Sequence, residues 1–282
     1  MVEYMSIGDG TIAYDISGVG PLVVLAHGMG DSRHSYRFIV PELVAAGYRV
    51  ANVDIRGCGD SSVGWKSYER TDIAGDVVAL VRHLGGPAVV VGQSISGGAA
   101  TIAAADAPED IAGVVELAPF TRKQSFDLVG ILRNKRVRQG TTQLAKVMMS
   151  GSLKGWMGYL DVAIPAKPAD WSDDRARIET ALSRPERMAV LRTMLKTSPA
   201  DAGAKLAGVR CPALIVEGSA DPDWVDPGAE GSKIIVDLPG GIGELVVIDG
   251  AGHYLHREVP AKVLAVVLPF LRRSLAPSTN NA

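Results

Sequence analysis

Residues 88–98 read Ala88-Val89-Val90-Val91-Gly92-Gln93-Ser94-Ile95-Ser96-Gly97-Gly98, and an Ala-rich run, 99–107, follows directly. The unbroken apolar run is what a strand buried on both faces of a parallel sheet requires. It leads into small-x-Ser-x-small and then into a helix, the arrangement of a nucleophile elbow. A serine held in such a strained turn needs small residues two before and two after it, because strand and helix nearly touch there. Gly92 meets that need, and Ser96 stands where a second glycine is usual. A dinucleotide-binding turn would need glycine in place of Ser94. No G-x-x-x-x-G-K-[ST] phosphate loop occurs anywhere in the chain.

Similar apolar runs recur on either side, at Leu22–Ala26 and at 48–53, 114–117, 213–216 and 245–248. The first 17 residues suggest a hairpin around Gly8-Asp9-Gly10. Between the runs lie segments of helical period. Ile73, Val77, Leu80, Val81 and Leu84 share one face, with Gly85 as the stop. Tyr36, Ile39, Val40, Leu43 and Val44 repeat the pattern, with Pro41 tolerable only near a first turn. Val259, Val263, Val266, Val267 and Phe270 mark a last helix. Such alternation predicts an α/β fold, a mostly parallel sheet with helices on both faces.

The alternation breaks between 118 and 208, where helical stretches (142–149 and 173–196) are separated by Gly151, Pro165 and Pro168. Residues 1–117 and 209–282 then form one core, and 118–208 a mainly helical insertion serving as a cap or lid. The tail 276–282, rich in Ser, Thr, Asn and Pro, is expected to fray.

Composition narrows the partners. The 282 residues carry 29 Lys+Arg against 31 Asp+Glu, a balance without the basic footprint of a nucleic-acid binder. With 47% hydrophobic and 21% charged residues the chain is not disordered. Two cysteines cannot build a disulfide framework, and neither Cys58 nor Cys211 has metal-ligand spacing. No basic leader and no apolar stretch of about 18 residues is visible. A cytoplasmic chain with reduced cysteines and no membrane partner is the expectation.

A serine is a weak nucleophile and needs a base oriented by a third group. His253, in Ile248-Asp249-Gly250-Ala251-Gly252-His253, lies just past the last strand, at the end where open α/β sheets place their ligands. His256 is expected to open the final helix, His34 to line the pocket and His27 to support a loop; His83 has no assigned role. Asp221, in the loop leaving the strand 213–216, is the leading acid, with Asp223 and Glu116 as alternatives. Asp226 and Asp249 suit surface or turn positions. In His27-Gly28-Met29-Gly30 the Met29 N–H can point at a developing oxyanion, joined by the Ile95 N–H at a helix N-terminus.

The order Ser94, Asp221, His253, with the His27-Gly28 loop before the serine, resembles the α/β-hydrolase superfamily. Asp54-Ile55-Arg56-Gly57-Cys58-Gly59-Asp60-Ser61 is similar to a structural turn of that family. The resemblance covers nearly the whole chain, from Leu22 to about Leu271, and implies an eight-stranded, mostly parallel sheet with a helical cap inserted after the sixth strand. It implies a serine hydrolase that cleaves a small-to-medium ester or lactone by acyl-enzyme catalysis, with no metal or organic cofactor. Other uses of the same triad are carbon–carbon bond hydrolysis, perhydrolysis and cofactor-free oxygenation. A non-catalytic ligand-binding protein of this fold is a further alternative. For the small-molecule substrate, Trp156, Met157 and Trp224, with His34, are the candidate pocket residues. The basic run 133–138 is expected to be a solvated helix face.

Overall fold

The computed structural model describes residues 1–123 and 127–276; the end of the tail, 277–282, lies outside them. The hairpin forms as β1 (Val2–Ile7) and β2 (Gly10–Ser17). β3 (Leu22–Ala26), β4 (Arg49–Val53), β5 (Ala88–Gln93), β6 (Ile111–Leu117), β7 (Ala213–Gly218) and β8 (Gly243–Ile248) complete an eight-stranded sheet. Its order is β1-β2-β4-β3-β5-β6-β7-β8. β2 pairs antiparallel with both β1 and β4, and every other pair is parallel. Every residue of β3, β5 and β7 is buried, the reason their sequences are apolar runs without alternation. From β3 the chain steps to β4 on one side and returns to β5 on the other. The switch point thus falls between β3 and β5, where such sheets hold ligands at their carboxyl ends.

Helices α1 (Val40–Ala45), α2 (Arg70–His83) and α3 (Ile95–Asp106) alternate with the strands as far as β6. Between β6 and β7 the elements among the described residues are all helices: α4 (Leu128–Arg133), α5 (Lys135–Ser150), α6 (Leu153–Ala163), α7 (Trp171–Leu182), α8 (Pro185–Met194) and α9 (Ala200–Gly203), with a 3₁₀ turn at Leu206–Gly208. After β7 come α10 (Pro227–Asp237), α11 (Leu255–Glu258) and α12 (Pro260–Ser274). One face of the sheet packs Ile73, Val77 and Leu80 of α2, the alanines of α3 and Ile234 of α10. The other packs Leu43 of α1 and Val263, Val267 and Phe270 of α12. Trp156, Met157, Tyr159 and Leu160 of α6 gather with Val147, Ile178 and Leu191 in a third cluster, joined by Tyr254.

Several helix boundaries differ from the sequence pattern. The stretch 173–196 is two helices, because Pro185 starts α8 and Arg184 before it is extended. The stretch 36–44 splits into a 3₁₀ turn, Arg33–Tyr36, and α1, with Pro41 in the first turn of α1. His256 lies on the short α11, since Pro260 starts the last helix anew. The basic run 133–138 spans a helix break capped by Asn134 and is only partly a solvated face: Arg136 Nε donates to the Asp221 carbonyl at 3.2 Å. Among the described residues no helix is long and apolar enough to cross a membrane.

Candidate active site

Ser94 sits between β5 and α3 with φ +57° and ψ −119°, outside the regions open to a residue with a side chain. Such a conformation costs on the order of 1–3 kcal/mol, so its surroundings must impose it. The Ser94 N–H donates to the Leu117 carbonyl at 3.0 Å, and its own carbonyl accepts from Gly97 and Phe120. A Cβ on Gly92 would stand 2.1 Å from the Ser96 carbonyl oxygen, so only glycine fits there. Ser96, the departure from a second glycine, donates its hydroxyl to the His27 carbonyl at 2.6 Å. The serine thereby ties the elbow to the loop after β3.

The His253 Nδ1 and Asp221 Oδ2 are 2.7 Å apart, and both side chains are buried. Asp221 in turn accepts from the Asp223 N–H at 2.8 Å. Held at Nδ1, the ring has Nε2 left for proton transfer. The Asp223 carboxylate also faces the ring, with Oδ2 3.4 Å from Nδ1, and accepts from the Tyr159 hydroxyl at 2.7 Å. Burial opposes protonation of His253, but Asp221 and Asp223 outweigh it and raise the pKa from 6.5 to about 9. Burial likewise pushes the Asp223 carboxyl up, to about 6, against the pull of His253. The His253 N–H donates to the Ala163 carbonyl at 2.9 Å, which fixes the loop against α6.

Ser94 and His253 line one cavity of about 510 Å³. Met29, Phe120, Leu144, Met148, Trp156 and Met194 form its apolar wall. Among the described residues neither the Met29 nor the Ile95 N–H donates to another protein group, as donors reserved for an oxyanion would not. Gly28 brings that loop close: a Cβ there would lie 2.1 Å from Gln93 Oε1 and 3.1 Å from Ser94 Cβ.

The other candidates separate clearly. Trp156 lines the cavity, whereas Met157 points into the α6 packing and Trp224 stacks on Phe120, ring centres 5.2 Å apart. His34 does not reach the cavity: the Arg33–Tyr36 turn directs it into a second cleft, beside Asp174. His27 is fully buried, with Nε2 accepting from the Ile55 N–H at 3.3 Å, and burial lowers its pKa to about 4. His256 contacts Ser35 Oγ at 2.6 Å, and burial keeps it neutral with a pKa near 3. Glu116 accepts from the Thr101 and Thr121 hydroxyls, and burial raises its pKa to about 7. Asp226 caps α10, and Asp249 accepts from Ser219. Asp54 accepts from the Arg33 and Asp60 N–H groups, and Arg56 pairs with Asp76 at 2.6 Å, so the Asp54–Ser61 segment is structural. Asp221, Asp223 and His253 bring possible metal-ligand atoms within 4.8 Å of one another. Those atoms, however, are already engaged with each other and with Tyr159.

The profile of the Alpha/beta hydrolase family matches residues 23–266. Epoxide hydrolase B of Mycobacterium tuberculosis is 40% identical over 115 residues, 39% of this chain and 32% of that protein, about a third of its length. The AB hydrolase superfamily protein YfhM of Bacillus subtilis is 26% identical over 266 residues, 90% of this chain and 91% of that one. The esterase RhEst1 of Rhodococcus sp. ECU1013 superposes with a TM-score of 0.79 at 21% identity, covering 98% of this chain and 99% of its own. With the profile covering well over half of its residues and the eight-stranded sheet in place, the chain belongs to the alpha/beta hydrolase family.

Proposed function

We propose that the chain is a serine hydrolase that cleaves a small-to-medium carboxylic ester or lactone through an acyl-enzyme. The observation that carries this reading is the cavity shared by Ser94, held at positive φ, and His253, whose Nδ1 is paired with the buried Asp221 behind it. His253 Nε2 takes the Ser94 proton as Oγ attacks the carbonyl carbon. Asp221 keeps Nδ1 protonated and stabilises the imidazolium without accepting its proton. The Met29 and Ile95 N–H groups bind the oxyanion; losing one such donor costs on the order of 10²–10³ in rate. His253 then protonates the leaving group and activates water for deacylation.

The helical segment between β6 and β7 acts as the cap of this site, since Leu144, Met148, Trp156, Tyr159 and Met194 come from it. The buried free thiols of Cys58 and Cys211 agree with a reducing, cytoplasmic compartment. Replacing Ser94 by Ala tests the reading. Hydrolysis of 4-nitrophenyl esters and labelling by a fluorophosphonate should both be lost, with the circular dichroism spectrum unchanged. Turnover at the wild-type rate in Ser94→Ala refutes the assignment. An epoxide and a β-diketone in the same panel discriminate ester cleavage from the chemistries closest to it.

A further inference from the structure

We propose that Arg70 binds a carboxylate on the substrate, so that the preferred esters or lactones are those of acids with a second, ionised carboxyl group. The proposal rests on the hydrolase reading above and names its substrate class. Arg70 opens α2, is 2% exposed, and lines the same cavity as Ser94 and His253. Its Nε donates to the Phe120 carbonyl at 2.9 Å and its Nη1 to Thr197 Oγ1 at 3.0 Å. Among the described residues Nη2 has no hydrogen-bond partner, and no carboxylate forms an ion pair with the guanidinium. Asp201 and Glu69 act on it only from further away.

Two other arginines are similarly buried, and both are neutralised. Arg257 pairs with Asp174 at 2.8 Å and with Asp31, and Arg56 pairs with Asp76 at 2.6 Å. A buried charge without a partner is costly, and a cation at a helix N-terminus adds an unfavourable dipole interaction. Burial accordingly lowers the Arg70 pKa, to about 10. Room for the side chain is made by Gly98, where a Cβ would lie 2.9 Å from Arg70 Cδ and 2.7 Å from the Phe120 carbonyl oxygen. The exposed Lys123 lines the same cavity and adds a second cation. The one carboxylate among the described lining residues, Asp223, is already held by Tyr159 and His253.

Gly98 follows Ser94 by four residues along α3, about 6 Å of helix. Arg70 Cδ packs on Gly98 and both Arg70 and Ser94 line the cavity, so a six-carbon adipoyl chain is taken as the probe of a carboxylate at Arg70 with its carbonyl at Ser94. The guanidinium fork suits a carboxylate's two oxygens.

The test compares the mono-4-nitrophenyl ester of adipic acid with 4-nitrophenyl hexanoate, equal in chain length and different in the terminal group. In the wild type the adipate ester should be favoured in kcat/KM by about tenfold or more, as expected for one charge-assisted bond. Arg70→Gln should bring the ratio to about one, and Arg70→Lys should retain only part of it, since an ammonium keeps the charge but not the two-pronged geometry. A wild-type ratio near one, or a ratio unmoved in Arg70→Gln, overturns the proposal. Ser94-dependent turnover of the hexanoate ester stands for the hydrolase reading whatever that ratio is. Calorimetric titration of the wild type with adipate monoamide and with hexanamide gives an answer independent of turnover and of how the variants fold. Tighter binding of the monoamide by about tenfold supports the proposal, and equal binding overturns it.

Discussion

Asp223→Asn separates the two carboxylates that face the base. Asp221 makes the short contact with His253 Nδ1, at 2.7 Å, while Asp223 Oδ2 lies 3.4 Å from the same atom. Tyr159, Tyr254 and Glu258 are the other titratable groups acting around the ring, and His256 lies close enough to feel its charge. At 3.4 Å, unit charges attract by about 1 kcal/mol in bulk water and about 5 kcal/mol at an effective dielectric constant near 20. With 1.36 kcal/mol per pH unit, removing the Asp223 charge should lower the His253 pKa by roughly 1 to 3.5 units.

The sign follows from which form works. In the proposed mechanism the neutral imidazole is the base, so activity should be lost as pH falls through the His253 pKa. Because burial is outweighed by Asp221 and Asp223, that pKa sits above the free value of 6.5, at about 9, and the acid limb is displaced to alkaline pH. Asp223, with its own pKa pushed to about 6, is ionised across that limb. In Asp223→Asn the limb should move toward acid by at least about one unit, and the variant should keep a larger share of its plateau rate near neutrality. The assay is kcat/KM for a neutral ester between pH 5 and 10, with the titration read as that of a coupled pair. A limb that moves by less than about 0.3 unit, or toward alkali, refutes the argument.

Asp221→Asn should behave differently, dropping kcat on the order of 10⁴-fold, because Asn stabilises the wrong imidazole tautomer. A loss no larger than that of Asp223→Asn would show that the two acids share the role. Gly92→Ala pushes a Cβ to 2.1 Å from the Ser96 carbonyl oxygen. It should destabilise the fold by about 3 kcal/mol or more. For a chain of this length that lowers Tm by about 6 °C or more. Calorimetry showing an unchanged Tm would mean that the elbow is looser than the geometry requires.

The elbow was legible because its constraint is local: Gly92, Ser94 and Ser96 lie within five residues, and the close approach of strand and helix acts on those residues alone. The acid was harder to single out. Asp221 and Asp223 leave β7 on the same loop, and both carboxylates reach the ring, so no pattern in sequence ranks them. What ranks them is 0.7 Å of difference in reach and Tyr159 of α6, which takes up one of the two. His34 was misplaced for a related reason: the turn Arg33–Tyr36 decides which side of the loop it leaves, and the helical pattern 36–44 does not report that turn. Arg70 had no signal of its own. Its partners Phe120 and Thr197 are 50 and 127 residues away, and the glycine that makes room for it lies in another helix.

The segment between β6 and β7 does more than line the cavity. Its α6 carries the Tyr159 hydroxyl that holds Asp223 and the Ala163 carbonyl that accepts from the His253 N–H. Just beyond α6, the Ala166 N–H donates to Glu258 Oε2, a carboxylate that also accepts from the Gly252 N–H beside the histidine. The proposed base is therefore clamped from the side of this segment at three points, one through a side chain and two through backbone. A change in α6 that reshapes the apolar wall should also shift the ring proposed to take the serine proton. In the proposed mechanism substrate preference and turnover are then not independent: a residue such as Tyr159, which lines the cavity and fixes Asp223, should act on KM through contact and on kcat through the imidazolium. The route to altered selectivity that spares the proposed base runs through Arg70, Thr197 and Lys123, which line the cavity and, among the described residues, make no hydrogen bond to the histidine loop.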